Sequence, residues 1–550
     1  MEAVSTILVL LLAVVVSGAL SRMLPVGLPR PLVQIALGAI IGFAANLRVQ
    51  LDPELFFLLF LPPLLFLDGW RIPKDEMLRD AGTILELALG LVVFTVLGMG
   101  FFIDWMIPAM PLPVAFALAA VVSPTDPIAV SAIAARVPIP DRLMHILEGE
   151  SLLNDASGLV CLRFAIAAAL TGTFSLWDAS LTFLWLALGG IAVGIAVSWL
   201  IVRAGDFVSR RFGEESGSQI LISLLIPFAA YLAAEHLHCS GILAAVAAGV
   251  TMSITEFSGR GQGGTRVRRS TVWDMVQFAA NGVIFVLLGE QLPVILGSAD
   301  EAARSAGIGN IWWLLLYAVA ITVGLALLRL VWVTVSLSIS LVRRQRQGIA
   351  IRRPPRRLVL AVSLAGVRGA ITLAGVLTLP LTLPGGAPFP ARDLTIFLAT
   401  SVIILSLVAA SLALPLLLKD LEMEPHTERE AEEDRARIIA AEAAIKAVEK
   451  AQHDLSAGRT DADVYVDAAA RVMGFYRERL SRFSHDGEEA ALARRSELVE
   501  EGLRLTAVKA ERDAIFASLR RRRISSETAR KLVRELDLLE ARYRPGTGGH

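Results

Sequence analysis

Three carboxylates lie within eight positions of one apolar stretch, which reads EGESLLND from Glu148 to Asp155. In a helix, Ser151 and Asp155 lie one turn apart on one face, and Glu150 and Asn154 share the adjacent face. A helix end that dips into water would explain Glu148 but not Asp155, which is followed by apolar sequence. The stretch therefore predicts a buried ionisable site, and such sites in membranes mark ion or proton pathways.

Two prolines flank a carboxylate in a second apolar stretch, which reads PTDP from Pro124 to Pro127. Each proline removes a helical hydrogen bond and clashes with the preceding turn, so we expect two half-helices with an unwound middle. Asp126 can cap the second half-helix and balance the positive end of its dipole. Unwound backbone persists at membrane depth only where it faces protein or water. A functional break is therefore favoured over a structural kink.

A third apolar stretch carries an arginine between glycines, in the sequence GVRG from Gly366 to Gly369. A buried Arg368 needs an anionic partner, since breaking a buried ion pair costs about 3–5 kcal/mol. We predict Glu150 as that partner, because it is close to Asp155 in sequence but does not share its face.

Two other charged residues have weaker signals. Asp68 lies at the end of an apolar stretch, where capping or snorkelling explains it slightly better than a functional role. Arg163 lies two turns beyond Asp155, on roughly the same face, and we assign it no role.

The elements that must position these residues belong to a membrane protein. The chain has 550 residues, of which 55% are hydrophobic, and its mean hydropathy of +0.62 excludes soluble globular and disordered proteins. Residues 420–550 carry 51 of the 104 charged side chains. We therefore divide the chain into a transmembrane domain at 1–419 and a cytoplasmic tail at 420–550. Its net charge of zero argues against a nucleic-acid partner.

We predict an all-α membrane protein with thirteen transmembrane helices, since about 20 apolar residues cross a bilayer core. The predicted spans are 4–21, 31–46, 54–70, 81–103, 113–135, 142–170, 177–203, 217–236, 240–256, 272–296, 311–342, 358–380 and 394–418. The first span is expected to be retained rather than cleaved as a signal peptide, because the residues before it include the acidic Glu2 but no Lys or Arg.

The loops between these spans differ sharply in basic charge. One set of alternate loops holds 21 Lys and Arg residues, and the other set holds three. Because cytoplasmic loops carry the excess of positive charge, we expect the N-terminus outside and the tail in the cytoplasm.

The tail is predicted to be helical around 428–451, 488–523 and 526–543, with breaks at Gly458 and at Ser484 to Gly487. A regulatory or oligomer-stabilising domain and a solvated helical appendage are equally good interpretations of its charged faces.

The two interrupted spans are the fifth and the twelfth, seven apart in order. If spans one to six and eight to thirteen are two repeats, this odd offset gives the repeats opposite membrane orientations. That is the inverted-repeat arrangement of secondary transporters, whose site lies where the broken helices cross.

The motifs around Asp126, Asp155 and Arg368, with LPP at Leu61–Pro63 and NGVIF at Asn281–Phe285, resemble the sodium/proton exchanger family of electroneutral antiporters. The resemblance extends over roughly residues 1–420. It implies a homodimer in which each chain has a dimer domain and a mobile core domain.

The resemblance also implies roles for individual residues. Asp155 would bind the cation, with Ser151 and Thr125 as oxygen ligands and Asn154 in support. Glu150 and Arg368 would form an ion pair, and Asp126 would balance the charge of the broken helices. Leu67 stands where many members have an acid, so the resemblance does not carry a ligand role over to Asp68 or to the rest of the third span.

The expected function is electroneutral exchange of one monovalent cation for one proton by alternating access, which would contribute to the pH and sodium homeostasis of the cell. The cation is Na⁺, with Li⁺ and K⁺ as alternatives. A desolvated carboxylate can titrate near neutrality, so Asp155 would hold either a proton or a hard cation at equal charge.

Two other functions compete with this expectation. A cation channel or uniporter could use the same oxygen-lined site. A membrane receptor whose core only holds the tail would leave the broken spans unexplained. We expect neither enzyme activity nor a cofactor beyond the transported Na⁺ and H⁺, and we place the protein in the cell membrane as a multi-pass homodimer.

Overall fold

The computed structural model describes residues 2–23, 28–44, 53–72, 74–126, 130, 141–172, 176–213, 215–256, 263–305, 312–346, 355–419, 427–456, 462–483 and 488–543. It divides into two compact units, Met1–Leu421 and Glu422–His550. The described residues are helical almost throughout, and a single bridge between Thr382 and Pro388 is their only extended pairing.

The helices of the first unit are α1 (Glu2–Met23), α2 (Arg30–Ala44), α3 (Pro53–Arg71), α4 (Lys74–Arg79), α5 (Ala81–Met106), α6 (Leu112–Val122), α7 (Asp141–Thr171), α8 (Leu176–Phe212), α9 (Ser216–His236), α10 (Gly241–Glu256), α11 (Gly263–Ser305), α12 (Trp312–Arg346), α13 (Arg356–Leu364), α14 (Ala370–Leu377) and α15 (Arg392–Leu418). Within α5, residues Glu86–Leu91 are π-helical. Such single-turn bulges are frequent at functional sites, and this one packs against α7.

Eight helices in the described part of the chain are long and apolar enough to cross a membrane, namely α1, α5, α7, α8, α9, α11, α12 and α15. The other predicted spans correspond to shorter helices, α2, α3, α6 and α10, and to the interrupted pair of α13 and α14. Helix length and apolar composition together are those of a multi-pass membrane protein, but they do not establish the predicted number of thirteen crossings.

Helices α2 and α11 pack at backbone distance through glycines. A Cβ atom on Gly38 would overlap the carbonyl oxygen of Val286, and a Cβ atom on Gly289 would overlap the carbonyl oxygen of Ile35. Small residues allow such close approach between membrane helices, where dispersion contacts supply much of the association energy.

Helices α3 and α10 pack in the same manner. A Cβ atom on Gly249 would overlap the carbonyl oxygen of Phe66, and a Cβ atom on Gly69 would lie 2.5 Å from the carbonyl oxygen of Val246. The unit thus contains the glycine-mediated helix pairs α2 with α11 and α3 with α10, and Gly194 of α8 approaches the carbonyl oxygen of Ala244 of α10 in the same way.

The second unit contains α16 (Thr427–Ser456), α17 (Ala462–Phe483), α18 (Glu488–Arg520) and α19 (Ser526–Tyr543). Helix α17 lies outside the three predicted helical stretches, and the predicted breaks lie outside the described residues. Packing pairs α16 with α17 and α18 with α19. Arg512 on α18 joins the second pair through ion pairs with Asp537, at 2.8 Å, and with Glu540.

Candidate functional site

The predicted break in the fifth span begins after Val122. Helix α6 ends there, and residues 123–126 are not helical. Pro124 explains the end point, because it has no amide proton to donate to the carbonyl oxygen one turn earlier and so interrupts the helical hydrogen bonds. Its ring also lies against Gly158 of α7, where a Cβ atom would collide with it. The predicted half-helix after Pro127 lies outside the described residues, apart from Val130.

The twelfth span is broken as predicted. Helix α13 ends at Leu364, residues 366–369 are extended or irregular, and α14 begins at Ala370. Gly369 is required at this break, because the carboxylate of Asp126 fills the space that a Cβ atom would need.

The two breaks cross and are joined by hydrogen bonds. The amide of Asp126 donates to the carbonyl oxygen of Val367 at 2.7 Å. The Nε atom of Arg368 donates to the carbonyl oxygen of Val122 at 2.8 Å, and its Nη1 atom donates to the carbonyl oxygen of Gly366. Each unwound segment therefore supplies partners for the backbone groups that the other leaves free.

The charges at the crossing match the ends of the half-helices. Arg368 binds carbonyl oxygens at the C-terminal ends of α6 and α13, where the helix dipole is negative. The Asp126 carboxylate lies beside Gly369, the N-terminal cap of α14, where the dipole is positive. The ends of the half-helices can thus stabilise one positively charged side chain, Arg368, and one negatively charged side chain, Asp126.

The predicted ion pair between Glu150 and Arg368 was wrong. The carboxylate of Glu150 instead accepts two hydrogen bonds from Arg329 of α12, at 2.5 and 2.6 Å, and both side chains are buried. Arg329 presents its planar fork to the carboxylate, whereas the Arg368 guanidinium is committed to backbone carbonyls. The two arginines lie on either side of Gly366, whose Cβ position is 3.3 Å from Arg329 Nε and 3.4 Å from Arg368 Nη1.

Thr125 links this ion pair to α7. Its hydroxyl donates to Glu150 at 3.2 Å and accepts from the Nδ2 atom of Asn154 at 3.0 Å. A hydroxyl has one proton and two lone pairs, so the network leaves Thr125 Oγ1 one lone pair for a ligand. The network fixes the unwound segment against α7.

A cavity lies beside the crossing, and it brings together four of the predicted site residues: Thr125, Asp126, Ser151 and Asp155. Asp68, whose role the sequence analysis left uncertain, also lines it. The complete lining is Leu61, Leu64, Leu65, Asp68, Pro124, Thr125, Asp126, Ser151, Asp155, Asn281, Ile284, Phe285, Gly369, Ile371 and Thr372.

The other predicted residues lie outside this cavity. Glu150, Asn154 and Arg368 do not line the cavity, but the hydrogen bonds described above fix the unwound segments beside it. Arg163 takes no part in the site. Its side chain is 60% exposed, and its Nη2 atom lies 3.9 Å from the Oε1 atom of Glu235.

Two residues of the site were missed as such by the sequence analysis. Arg329 carried the same signal as Arg368, a single charge within a long apolar helix, and could have been found by the same rule. Asn281 was noted only as part of a motif, and a polar amide within an apolar helix is a weaker signal.

The chemistry of the cavity is that of oxygen ligands. Carboxylates, hydroxyls and an amide surround a space that is otherwise apolar, which suits a hard cation or a proton. Within the described part of the chain, no three His, Cys, Asp or Glu side chains converge into a ready metal site.

Comparison with known proteins gives a consistent picture. The family model for the transmembrane domain of sodium/hydrogen exchangers matches residues 8–420. The uncharacterised Na⁺/H⁺ exchanger YjcE of Escherichia coli K12 is 43% identical over 546 residues, which are 98% of this chain and 99% of that protein. The sodium, potassium, lithium and rubidium/H⁺ antiporter of Bacillus subtilis is 38% identical over 548 residues, which are 99% of this chain and 78% of that protein.

A solved structure shares the fold. The sodium proton antiporter MjNhaP1 of Methanocaldococcus jannaschii has a TM-score of 0.54 and 20% sequence identity, over 77% of this chain and 100% of that one.

Proposed function

Because this chain belongs to the sodium/hydrogen exchanger family, we propose that it exchanges one monovalent cation for one proton at Asp155, without net movement of charge. One observation carries this proposal. Of the two buried acids in the ESLLND motif, Glu150 is already neutralised by Arg329, and only Asp155 lines the cavity. Of the acids in this motif, Asp155 is thus the one left to titrate and to bind the cation.

The mechanism follows from competition at that carboxylate. A proton and an alkali cation each neutralise Asp155, so the two loaded states carry the same charge. Ser151 supplies a further oxygen one helical turn away, and Thr125 supplies its remaining lone pair or backbone oxygen. Because protons compete, the apparent cation affinity weakens as the pH falls through the pKa of Asp155. Na⁺ is the principal cation, and the name of the Bacillus relative supports K⁺, Li⁺ and Rb⁺ as further substrates.

Alternating access between inverted repeats is the second part of the proposal. The α2–α11 and α3–α10 contacts support it, because each helix of one pair corresponds to a helix of the other under a constant shift in numbering. Gly38 and Ile35 of α2 correspond to Gly249 and Val246 of α10, since both pairs are separated by 211 positions.

The partner helices obey the same rule. Val286 and Gly289 of α11 correspond to Phe66 and Gly69 of α3, with a separation of 220 positions. Exchanging the two halves of the sequence therefore converts the α2–α11 contact into the α10–α3 contact. Thirteen crossings, with the two broken spans as equivalent members, complete this arrangement.

The remaining features of the proposal concern the whole protein. It acts as a homodimer in the cell membrane, with its N-terminus outside and its tail in the cytoplasm, as the 21-to-3 division of basic residues supports. It is a transporter and not an enzyme, it needs no cofactor, and its activity contributes to pH and sodium homeostasis.

Transport in proteoliposomes tests the exchange. Wild type should move protons against a Na⁺ gradient, and Asp155→Asn should reduce this flux to background while the protein stays folded, because the amide keeps the volume but cannot titrate. Residual exchange well above background in Asp155→Asn would place the site elsewhere.

The stoichiometry has its own test. Clamping the membrane potential with a K⁺ ionophore, under conditions where K⁺ is not transported, should leave the final Na⁺ ratio unchanged. The potential is worth about 2.3 kcal/mol per charge per 100 mV, so any charge carried per cycle would shift that ratio. A Na⁺ ratio that follows the voltage would contradict one-for-one exchange. A separate observation distinguishes an exchanger from a channel: the Na⁺ flux of an exchanger saturates and is strictly coupled to proton flux.

A further inference from the structure

Asn281 lies on α11, a helix that contributes none of the predicted cation ligands, yet it lines the same cavity as Asp155. Its Oδ1 atom is buried and accepts no hydrogen bond in the described part of the chain. A buried acceptor without a partner costs about 1–3 kcal/mol, so such atoms in native proteins call for an explanation.

The position of this oxygen suggests what satisfies it. Several other buried side-chain atoms in the described residues lack partners, including Asn154 Oδ1, Trp332 Nε1 and Thr400 Oγ1, but those residues do not line the cavity. Asn281 is therefore the one member of this group that a bound cation could reach.

We propose that the side-chain oxygen of Asn281 is a ligand of the transported cation. A carboxamide oxygen is a hard, neutral ligand that adds to the coordination shell without adding a charge that must be balanced. A proton on Asp155 needs no such shell. Asn281 therefore favours the cation-loaded site over the proton-loaded site, and it tunes their competition. This inference rests on the proposed exchange at Asp155.

Paired substitutions test the role of the oxygen in the full-length protein. Asn281→Leu keeps the volume and removes the oxygen, and Asn281→Ala removes it with less crowding. Both should raise the half-saturating Na⁺ concentration at alkaline pH by about tenfold, which corresponds to about 1.4 kcal/mol. Asn281→Asp retains an oxygen and should stay within about threefold of wild type or bind more tightly.

The pH dependence separates a ligand from a structural role. In a shared site, loss of a cation ligand raises the plateau of half-saturating Na⁺ but leaves the pH at which Na⁺ affinity begins to weaken unchanged. A packing defect that alters the surroundings of Asp155 would move that pH instead. We expect the plateau to rise and the inflection to stay in both Asn281→Leu and Asn281→Ala.

Gln277→Ala is the matched control. Gln277 lies one turn earlier on α11, outside the cavity, and its amide oxygen accepts a hydrogen bond from Arg71 at 2.8 Å. This variant should leave the half-saturating Na⁺ concentration unchanged. Wild-type affinity in a folded Asn281→Leu or Asn281→Ala variant would overturn the ligand role alone, as would a shifted inflection. Absence of Na⁺-driven proton flux in wild type would instead overturn the proposed exchange.

Discussion

Glu150 and Asp155 are five residues apart on one helix, but their surroundings give them different tasks. Glu150 is held by a bidentate arginine and a threonine hydroxyl, so each carboxylate oxygen already has a hydrogen-bond donor. Asp155 lines a cavity with other oxygen-bearing side chains. The first acid is thus committed to the structure, and the second stays available to a cation or a proton.

The ion pair leads to a prediction about stability. Glu150→Gln and Arg329→Gln should each lower the free energy of unfolding by about 3–5 kcal/mol, because each leaves a buried charge without its partner. The double variant should recover a large part of that loss, since it leaves no buried charge unpaired. Thermal unfolding in detergent measures the stability of each variant. The coupling is the difference between the loss in the double variant and the sum of the two single losses.

The control for this cycle is Arg163→Gln, on the same helix as Glu150. Its guanidinium is mostly exposed and 3.9 Å from Glu235, so its loss should change stability by no more than about 0.5 kcal/mol. Simple additivity of the Glu150 and Arg329 effects would show that the pair does not act as a unit, and coupling of Glu150 to Arg368 instead would restore the original assignment.

At the scale of helices, the glycine contacts determine how closely α2 and α11 approach. Gly289→Ala should destabilise the protein by about 1–3 kcal/mol, because its new methyl group must push α2 away from its backbone contact. Gly297→Ala lies on the same helix, with no atom within 4 Å of its new methyl group. It should be neutral or stabilising by about 0.5–1 kcal/mol.

Thermal unfolding of the two variants side by side checks this difference. Equal melting temperatures for Gly289→Ala and Gly297→Ala would mean that α2 moves away from residue 289 without loss of stability. The close glycine contact would then not contribute to stability.

The helices also show what could be predicted from the sequence. Both breaks were predictable, because Pro124 acts on its own backbone and the glycines around Arg368 are a local signal. The grouping of Thr125, Asp126, Ser151 and Asp155 was implied by the resemblance to the exchanger family and not by any local signal.

Long-range pairing was harder to predict. The partner of Glu150 depends on which helix packs behind α7, and nothing local in the sequence distinguishes Arg329 from Arg368. The place of Asp68 could not be predicted for a related reason, because its position near a helix end suggested capping or snorkelling, and only tertiary packing shows that it lines the cavity.

At the scale of the whole molecule, the two compact units suggest separable tasks. A chain truncated after Leu421 keeps the complete membrane unit with all cavity residues. It should therefore still exchange Na⁺ for protons in proteoliposomes, with an altered pH dependence or a less stable dimer. Loss of all transport in a truncated protein that remains folded and dimeric would make the tail an integral part of the cycle.

The crossing of the broken helices has one more consequence. Asp126 lies four residues beyond the end of α6, and Arg368 lies four residues beyond the end of α13. Equivalent places in two half-helices thus hold opposite charges. In the proposed inverted-repeat arrangement, two identical halves would be related by a two-fold rotation, and the inward-open and outward-open forms would have equal energy. The exchange of an acid for a base lifts that degeneracy, so in this proposal the empty protein can prefer to face one side of the membrane.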